Sequence, residues 1–555
     1  MNCVVMLIVA MLSFQAQSSP KVEIVNPTVE RQVNPQGLGT SQPRFSWQYT
    51  SNEQQVVQQS YRIIVSSSQQ NAQKGIGDLW DSKEVRSANM LYIPYQGKAL
   101  ESRDKCYWRV ISTVAYGSKQ KKLSLKSEVQ SFCISLLHSS DWQAKWIGGD
   151  FSDDVLEGHT RLAARYMRKV FTLKDEIKEA KLYISGVGQY SAYLNGVELA
   201  PEEIFKPALS DYRKRVYFNT YNVSDMLQKG NNAVGVILEG GRFTAMRIDV
   251  KNPRRDGPNN VLHFGTPRMI MQLEIVYADG SRELVVSDET WKMTNGGAIR
   301  TANEFDGETY NATMELPNWN TINYDDKTWL SAKLVEAPKG VLTAQSNPNL
   351  KVQDIVKPIA LFKKGDVWIL DMGQNMVGCL DIHVHGQKTG DTIKLRFAET
   401  LTKDSMLYTE NLRTAEVTDR YIMNGSSGQW HPMFVYHGFR FVEISGLRST
   451  PSLNDYVGLV CYDAMPTTGV FESSDSIINA VYRNAYWGIR GNYRSMPTDC
   501  PQRDERQGWN GDRTTGSYGE SYIFGNYHLY AKWLTDFEDS QLESGSVPDV
   551  IPPYW

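Results

Sequence analysis

The amino-acid sequence of 555 residues contains no apolar run long enough for a transmembrane helix, which needs roughly 18 consecutive apolar residues. The longest such run, residues 4–12, lies at the amino terminus and precedes small and polar residues and the first charge, Lys21. This pattern predicts a secretory signal peptide over residues 1–19, although no basic residue precedes the apolar run. The alternative is a buried amino-terminal strand. We expect export to the periplasm or the extracellular medium, without a membrane span.

Cysteine is scarce, and neither sign of charge is in excess. Six cysteines in a chain of this length are too few for a disulfide scaffold, and their spacing fits neither a CxxC pair nor a zinc site. We expect buried, reduced thiols at the five that follow the signal peptide: Cys106, Cys133, Cys379, Cys461 and Cys500. The net charge of -3 gives no indication of nucleic-acid binding.

Short segments with a period of two dominate the first 464 residues and predict a series of β-domains. Regular Gly and Pro turns between such segments favour a β-sandwich over residues 20–138. A longer strand-rich region with an Asn195-Gly196 hairpin signal predicts a jelly-roll sandwich over residues 139–345. Residues 346–464 show the same short alternating segments and are predicted to form a second β-sandwich domain. The fold class is therefore multidomain, and mostly β.

Residues 465–555 have a helical period instead. The polar cap Ser473-Ser474-Asp475 precedes an apolar stripe that begins with Ile477, Ile478 and Val481, and a second stripe covers residues 527–542. Two helices cannot bury both of their own stripes. This region is therefore predicted to be the first part of a larger helical domain.

The densest polar cluster of the sequence lies between these two helical patterns. It combines four carboxylates, two arginines and one indole: Asp499, Arg503, Asp504, Glu505, Arg506, Trp509 and Asp512. If the loop is enclosed, mutual repulsion raises the pKa of at least one acid, and a protonated acid beside an indole suits proton donation to a glycosidic oxygen. The alternative is a solvated loop in which the two arginines pair with Asp504 and Asp512.

Other polar groups give weaker signals. His383 and His385 alternate along one strand and share a face, but no third ligand is near them in sequence, so exposed imidazoles are the simpler interpretation. An acidic run offers oxygen ligands to calcium without the EF-hand spacing: Asp150, Asp153, Asp154 and Glu157. We expect no cofactor and no catalytic metal, and leave calcium in an accessory β-domain open.

The residues 499–506, together with Gly508-Trp509 and Gly511-Asp512, closely resemble the signature of the bacterial α-L-rhamnosidases of glycoside hydrolase family 78. Motifs upstream resemble the same family in the same order. They lie at 43–47 and 107–110 (fibronectin-like module), at 191–196, 307–312 and 325–329 (accessory jelly roll), and at 371–375 and 436–440 (the β-domain before the catalytic barrel). The resemblance covers the chain after the signal peptide and implies that residues 465–555 begin an (α/α)6 barrel.

The resemblance also implies residue roles. Glu505 corresponds to the general acid, with Asp504 as the alternative acid. The residues that correspond to the rhamnose-binding groups are Asp499, Arg503, Trp509 and Asp512. The implied partner is a rhamnose-containing glycan or glycoside, and the implied reaction is inverting hydrolysis.

The resemblance implies that the inverting base is a glutamate in later helices of the barrel, beyond residue 555. We therefore expect the sequence to be a fragment or the product of a truncated gene, without hydrolytic activity on its own. The alternative function is a non-catalytic assembly of carbohydrate-binding modules, in which the β-domains hold the glycan.

Overall fold

A computed structural model describes residues 22–156, 158–248 and 262–554. The predicted signal peptide, residues 1–19, lies outside the described residues. The chain divides after Ser135 into two units, which are described separately below. Within the described ranges, no helix combines the length and the hydropathy that a membrane span requires.

The amino-terminal unit, described over residues 22–135, contains two sheets. Its elements are β1 Val22–Val29, β2 Arg44–Ser51, β3 Val57–Ser66, α1 Gln69–Lys74, β4 Trp80–Asp81, β5 Ile93–Pro94, β6 Lys105–Tyr116, β7 Lys121–Lys126 and β8 Gln130–Cys133. The strand orders are β1-β2-β5 and β4-β3-β6-β7, with β8 paired to β6. Phe45 of the first sheet contacts Trp108 of the second, with ring centroids 4.7 Å apart. The two sheets therefore form a β-sandwich, as predicted.

The second unit begins with another pair of sheets. Its strands are β9 Ile147–Gly148, β10 Gly158–His159, β11 Arg165–Leu173, β12 Ile177–Val187, β13 Gln189–Leu194, β14 Val197–Glu198, β15 Glu203–Ile204, β16 Arg215–Asn222, β17 Gly230–Glu239, β18 Arg247–Ile248, β19 Arg268–Tyr277, β20 Arg282–Val286, β21 Lys292–Thr294, β22 Ile299–Asn303, β23 Gly307–Asn311, β24 Leu330–Ser331, β25 Lys333–Leu334 and β26 Val341–Ala344. A sheet ordered β14-β13-β17-β11-β21-β24 and a sheet ordered β25-β9-β19-β12-β16-β26 share one apolar core. Val236 of the former and Leu182 of the latter are fully buried in it.

An eleven-stranded sheet follows in the same unit. Its later strands are β27 Leu350–Val356, β28 Ala360–Lys364, β29 Val367–Val384, β30 Thr392–Ala398, β31 Thr418–Ile422, β32 Gly428–Trp430, β33 His437–Ser445 and β34 Tyr456–Asp463. Strands β15, β22 and β23, which precede residue 346, pair into this sheet as well. The sheet therefore extends across the boundary that the sequence predicts between the second and third β-domains.

The remaining residues form helices α2 Ser476–Arg490, α3 Asn510–Thr514, α4 Ser517–Glu520 and α5 Tyr527–Ser540. Asp475 caps α2 by accepting hydrogen bonds from the backbone N–H groups of Ile477 and Ile478, at 2.8 and 3.2 Å, so the predicted start of this helix is confirmed within one residue. The apolar stripe of α2 is exposed. Ile477 is 72% exposed and Val481 63%. The described residues thus leave this face uncovered.

All five cysteines that follow the predicted signal peptide are buried, as expected. The mostly β fold class of residues 22–463 is likewise confirmed.

Candidate active site

The charged loop that joins α2 to α3 is buried, in spite of its composition. Asp504 is 3% exposed, Glu505 6% and Arg506 0%. Charged side chains are rarely buried unless ionic or hydrogen-bonding partners compensate them. The alternative of a solvated loop is therefore wrong, and each buried charge needs a partner that compensates it.

Arg506 fixes the conformation of the loop from the inside. Its guanidinium donates hydrogen bonds to the backbone carbonyl oxygens of Arg503 (3.0 Å), Gln502 (3.2 Å) and Tyr436 (3.0 Å). Its own backbone adopts a left-handed conformation with φ of 53°. Arg506 thus pairs with carbonyl dipoles of the loop and of the β-domain, and not with the acids that a solvated loop would offer it.

Glu505 lies between two arginines. Its Oε2 atom is 2.9 Å from Nη1 of Arg413 and 2.9 Å from Nη2 of Arg503. The sequence led us to expect acidic neighbours around Glu505. The structure instead adds a cation from outside the motif, because Arg413 comes from the segment that follows the 3-10 turn Glu410–Leu412. The two guanidinium groups contact the carboxyl group and orient it.

Asp504 lies 4.0 Å from Nη1 of Arg413, which it shares with Glu505, and has further partners of its own. It accepts hydrogen bonds from the backbone N–H (3.3 Å) and the hydroxyl of Thr414, and lies 3.6 Å from Nη1 of Arg247. Arg247 is fully buried at the start of β18. Asp504 thereby connects the loop to the turn that contains Thr414 and to β18.

Asp499 is held by a reciprocal pair of backbone hydrogen bonds. The N–H of Gln507 donates to Asp499 Oδ1 at 2.6 Å, and the N–H of Asp499 donates to the Gln507 carbonyl at 2.9 Å. Burial raises the pKa of Asp499, and the nearby charge of Glu505 acts in the same direction. Asp499 Oδ2 is buried and accepts no hydrogen bond from the described residues. That oxygen is available to a ligand that donates a hydrogen bond.

Donor atoms of Asp499, Cys500 and Glu505 lie within 4.8 Å of one another, a spacing that could also suit a cation. Two features argue against this use. Burial raises the pKa of Cys500 to about 12, which keeps it a neutral thiol. The guanidinium groups of Arg413 and Arg503 also bring two positive charges to the same point.

Trp509 and Asp512 lie at the end of the loop. Trp509 is half-buried, and its backbone pairs with Val550 in an isolated bridge. Asp512 is exposed in the first turn of α3. The structure therefore brings Asp499, Arg503 and Glu505 into direct contact and places Asp512 at the surface.

Four domain families match consecutive parts of the chain. They are an amino-terminal immunoglobulin domain of the Rha78A type (residues 24–138), the α-L-rhamnosidase amino-terminal domain (175–354), the bacterial α-L-rhamnosidase concanavalin-like domain (362–462) and the bacterial α-L-rhamnosidase six-hairpin glycosidase domain (466–555). The chain belongs to the α-L-rhamnosidases of glycoside hydrolase family 78. Its charged loop lies in the part that matches the glycosidase domain.

Known members of the family resemble the chain along most of its length. An α-L-rhamnosidase of Formosa agariphila is 37% identical over 94% of this chain and 55% of its own length. The structure of the Dictyoglumus thermophilum α-L-rhamnosidase shares 35% identity with a TM-score of 0.89, over 96% of this chain and 59% of that one. The Streptomyces avermitilis enzyme, solved with L-rhamnose, shares 25% identity with a TM-score of 0.81, over 96% and 66%. The chain thus spans little more than half the length of the curated relative.

Sequence reasoning missed the groups that this rhamnosidase-family loop receives from the β-domains. Arg413, Thr414 and Arg247 belong to no motif that we recognised, and Thr414 precedes its partner Asp504 by 90 residues. Tyr436 belongs to one of the recognised motifs, and its ring lies 4.9 Å from the Arg506 guanidinium carbon. Only that motif could have pointed to the contact.

The acidic residues that suggested a calcium site contact different partners. Glu157 lies outside the described residues. The contacts of the other acids are Asp150 with Thr266, Asp153 with Asn295 and Asp154 with Arg165. A calcium site in the accessory β-domain stays a prediction.

Proposed function

We propose that the protein is a glycoside hydrolase that removes terminal α-L-rhamnose from glycans or glycosides, with Glu505 as general acid. One observation carries this proposal. Glu505 is buried and oriented by Arg413 and Arg503 within the loop that bears the family signature, and Asp499 lies beside it. Family membership and the rhamnose complex of the Streptomyces avermitilis relative support the choice of sugar.

In the proposed mechanism, Glu505 delivers its proton to the glycosidic oxygen as the bond between that oxygen and C1 of rhamnose breaks. A second carboxylate takes a proton from water, which attacks C1 from the opposite face, so that the configuration inverts. The two carboxyl groups of such a pair stand roughly 6.5 to 9.5 Å apart, which leaves room for the water.

The sugar-binding roles follow from chemistry and exposure. Asp499 Oδ2 lies 3.6 Å from Nη2 of Arg503 but accepts no hydrogen bond from the described residues, and would accept one from a sugar hydroxyl. Arg503 contacts Glu505 and would orient both the acid and the sugar. The half-buried indole of Trp509 would support the apolar face of rhamnose, and the exposed Asp512 would bind a hydroxyl at the rim.

We also propose that α2 to α5 belong to an (α/α)6 barrel and that the protein is exported. The six-hairpin domain match and the exposed apolar face of α2 support the barrel. The apolar run at residues 4–12 supports export.

The test of the acid is Glu505→Gln in the full-length protein, assayed on an aryl rhamnoside and on an alkyl rhamnoside. A general acid contributes about 100-fold to 10,000-fold, and it matters most when the leaving alcohol is poor. We therefore expect turnover of the alkyl rhamnoside to fall by about 100-fold or more, with a smaller loss on the activated aryl substrate and little change in L-rhamnose affinity.

Glu543→Gln makes the same chemical change at an exposed position and should leave turnover unaltered. Asp504→Asn tests the alternative acid. Unchanged hydrolysis of the alkyl rhamnoside by Glu505→Gln would remove Glu505 from the mechanism. Binding of L-rhamnose by the unaltered full-length protein without release from any rhamnoside would favour the non-catalytic alternative.

A further inference from the structure

The end of β29 carries two histidines on one exposed face. Ile382 and Val384 are buried, whereas His383 and His385 between and beyond them are exposed, so both imidazoles project from the same side of the strand. Their ring centroids are 5.8 Å apart. A two-residue spacing on a strand thus sets two nitrogen ligands next to each other.

The third ligand that the sequence does not reveal comes from the neighbouring strand. β29 pairs with β34 in antiparallel register, with Ile382 opposite Tyr456. Asp455, the residue before Tyr456, therefore lies beside His383. One nitrogen of each imidazole and one carboxylate oxygen of Asp455 all lie within 4.8 Å of one another.

Asp455 is held in position by its own turn. Its Oδ2 accepts a hydrogen bond of 2.8 Å from the backbone N–H of Ser452, which closes the capping box of the 3-10 helix Leu453–Asp455. Such support by a neighbouring group orients a ligand before any ion binds. The two histidines and Asp455 also line a small surface hollow, together with Gln387 and Ser449.

We propose that His383, His385 and Asp455 bind one divalent transition-metal ion of the Zn²⁺, Ni²⁺ and Cu²⁺ class. Imidazole nitrogens suit these ions, and a carboxylate oxygen completes a three-residue set that leaves a position for water. Bonds of about 2.0–2.2 Å need ligand atoms roughly 3.3 Å apart, so small rotations of the exposed imidazoles would bring the set into range. The ion would join β29 to the turn that precedes β34.

The test uses the full chain after removal of metals with a chelator. Calorimetric titration with Zn²⁺ should show one site per chain with micromolar affinity, and saturation should raise the thermal midpoint of unfolding. His383→Ala and His385→Ala should each weaken binding by at least about tenfold. His431→Ala removes an exposed histidine of the same β-region outside the cluster and should bind as the unaltered protein does.

Electron paramagnetic resonance of bound Cu²⁺ gives a second readout that does not depend on affinity. The unaltered protein should show hyperfine coupling to two imidazole nitrogens, and each alanine variant to one. Equal Zn²⁺ affinity in His383→Ala and the unaltered protein would overturn the proposal, as would a nitrogen count that does not change. Loss of binding in Glu505→Gln would also overturn it, because the ion would then lie at the charged loop.

Discussion

The charged loop and helix α2, which precedes it, both depart from the usual distribution of buried and exposed residues. The loop buries charged side chains, whereas α2 exposes apolar ones. In the loop, Glu505 and Arg506 are buried at 6% and 0% exposure, while on α2 the apolar Ile477 and Val481 are 72% and 63% exposed. Glu505 has a cationic partner in Arg413 at 2.9 Å, and Arg506 donates to the Tyr436 carbonyl oxygen at 3.0 Å. The described residues leave the apolar stripe of α2 largely uncovered. Burial in this part of the chain therefore follows the partners that are present, and not residue type alone.

A second pair of residues shows the same principle inside the β-domains. Glu308 is fully buried, and Glu304, four residues earlier, has a side chain that is 11% exposed. Burial alone would raise the pKa of Glu304, but Arg242 at 2.7 Å outweighs it and holds that pKa below its usual value. Glu308 accepts hydrogen bonds from backbone N–H groups only, and burial raises its pKa to about 8.

The largest effect on the free energy of unfolding is expected from removal of the buried guanidinium group of Arg506. Arg506→Ala removes a hydrogen-bond donor from the carbonyl groups of Gln502, Arg503 and Tyr436, and should lower the free energy of unfolding by about 3–5 kcal/mol. Arg483→Ala, on the exposed side of α2, should change it by less than about 0.5 kcal/mol. Urea unfolding of both variants measures the difference. Equal, small effects would show that the loop charges need no internal partner.

A smaller effect is expected from Glu308→Gln, and it depends on pH. Between about pH 4.5 and 8 the folded protein keeps a proton on Glu308 that the unfolded chain releases, so the stability of the unaltered protein falls as pH rises through this window. Glu308→Gln should remove this component, on the order of 3 kcal/mol between pH 5 and 8. Urea midpoints at both pH values provide the measurement, with Glu543→Gln as control. Parallel pH profiles of the variant and the unaltered protein would contradict the expectation.

The smallest effect on stability is expected at the exposed apolar stripe. Val481→Ser removes a side chain that is already 63% exposed, so the free energy of unfolding should change by less than about 0.5 kcal/mol. The same change should reduce binding of a hydrophobic dye, because it interrupts the apolar patch. Asn484→Ser on an exposed part of the helix should leave dye binding unaltered. A large loss of stability in Val481→Ser would mean that this face is covered in solution.

Part of the fold could be predicted from short stretches of sequence. The alternation along β6 and the capping of α2 by Asp475 depend on residues within a few positions of each other. The edges of the β-domains could not be predicted in this way. β15 and β23 pair with β27 and β31, which follow residue 346, and such pairings depend on contacts between distant segments.

The same division holds for the candidate sites. The spacing of Asp499, Glu505 and Trp509 and that of His383 and His385 could be recognised directly, because each group lies in one short segment. The signature also carries the family resemblance, from which the proposed roles derive.

The sequence by itself thus determined which acids and histidines are grouped, which segments are strands or helices, and to which family the chain belongs. The tertiary structure decided which groups compensate them: Arg413 for Glu505, Arg247 for Asp504 and Asp455 for the histidine pair. Charge compensation and ligand geometry act over a few ångströms in space. Residues that are far apart along the chain can meet at that distance only after the sheets have paired and packed.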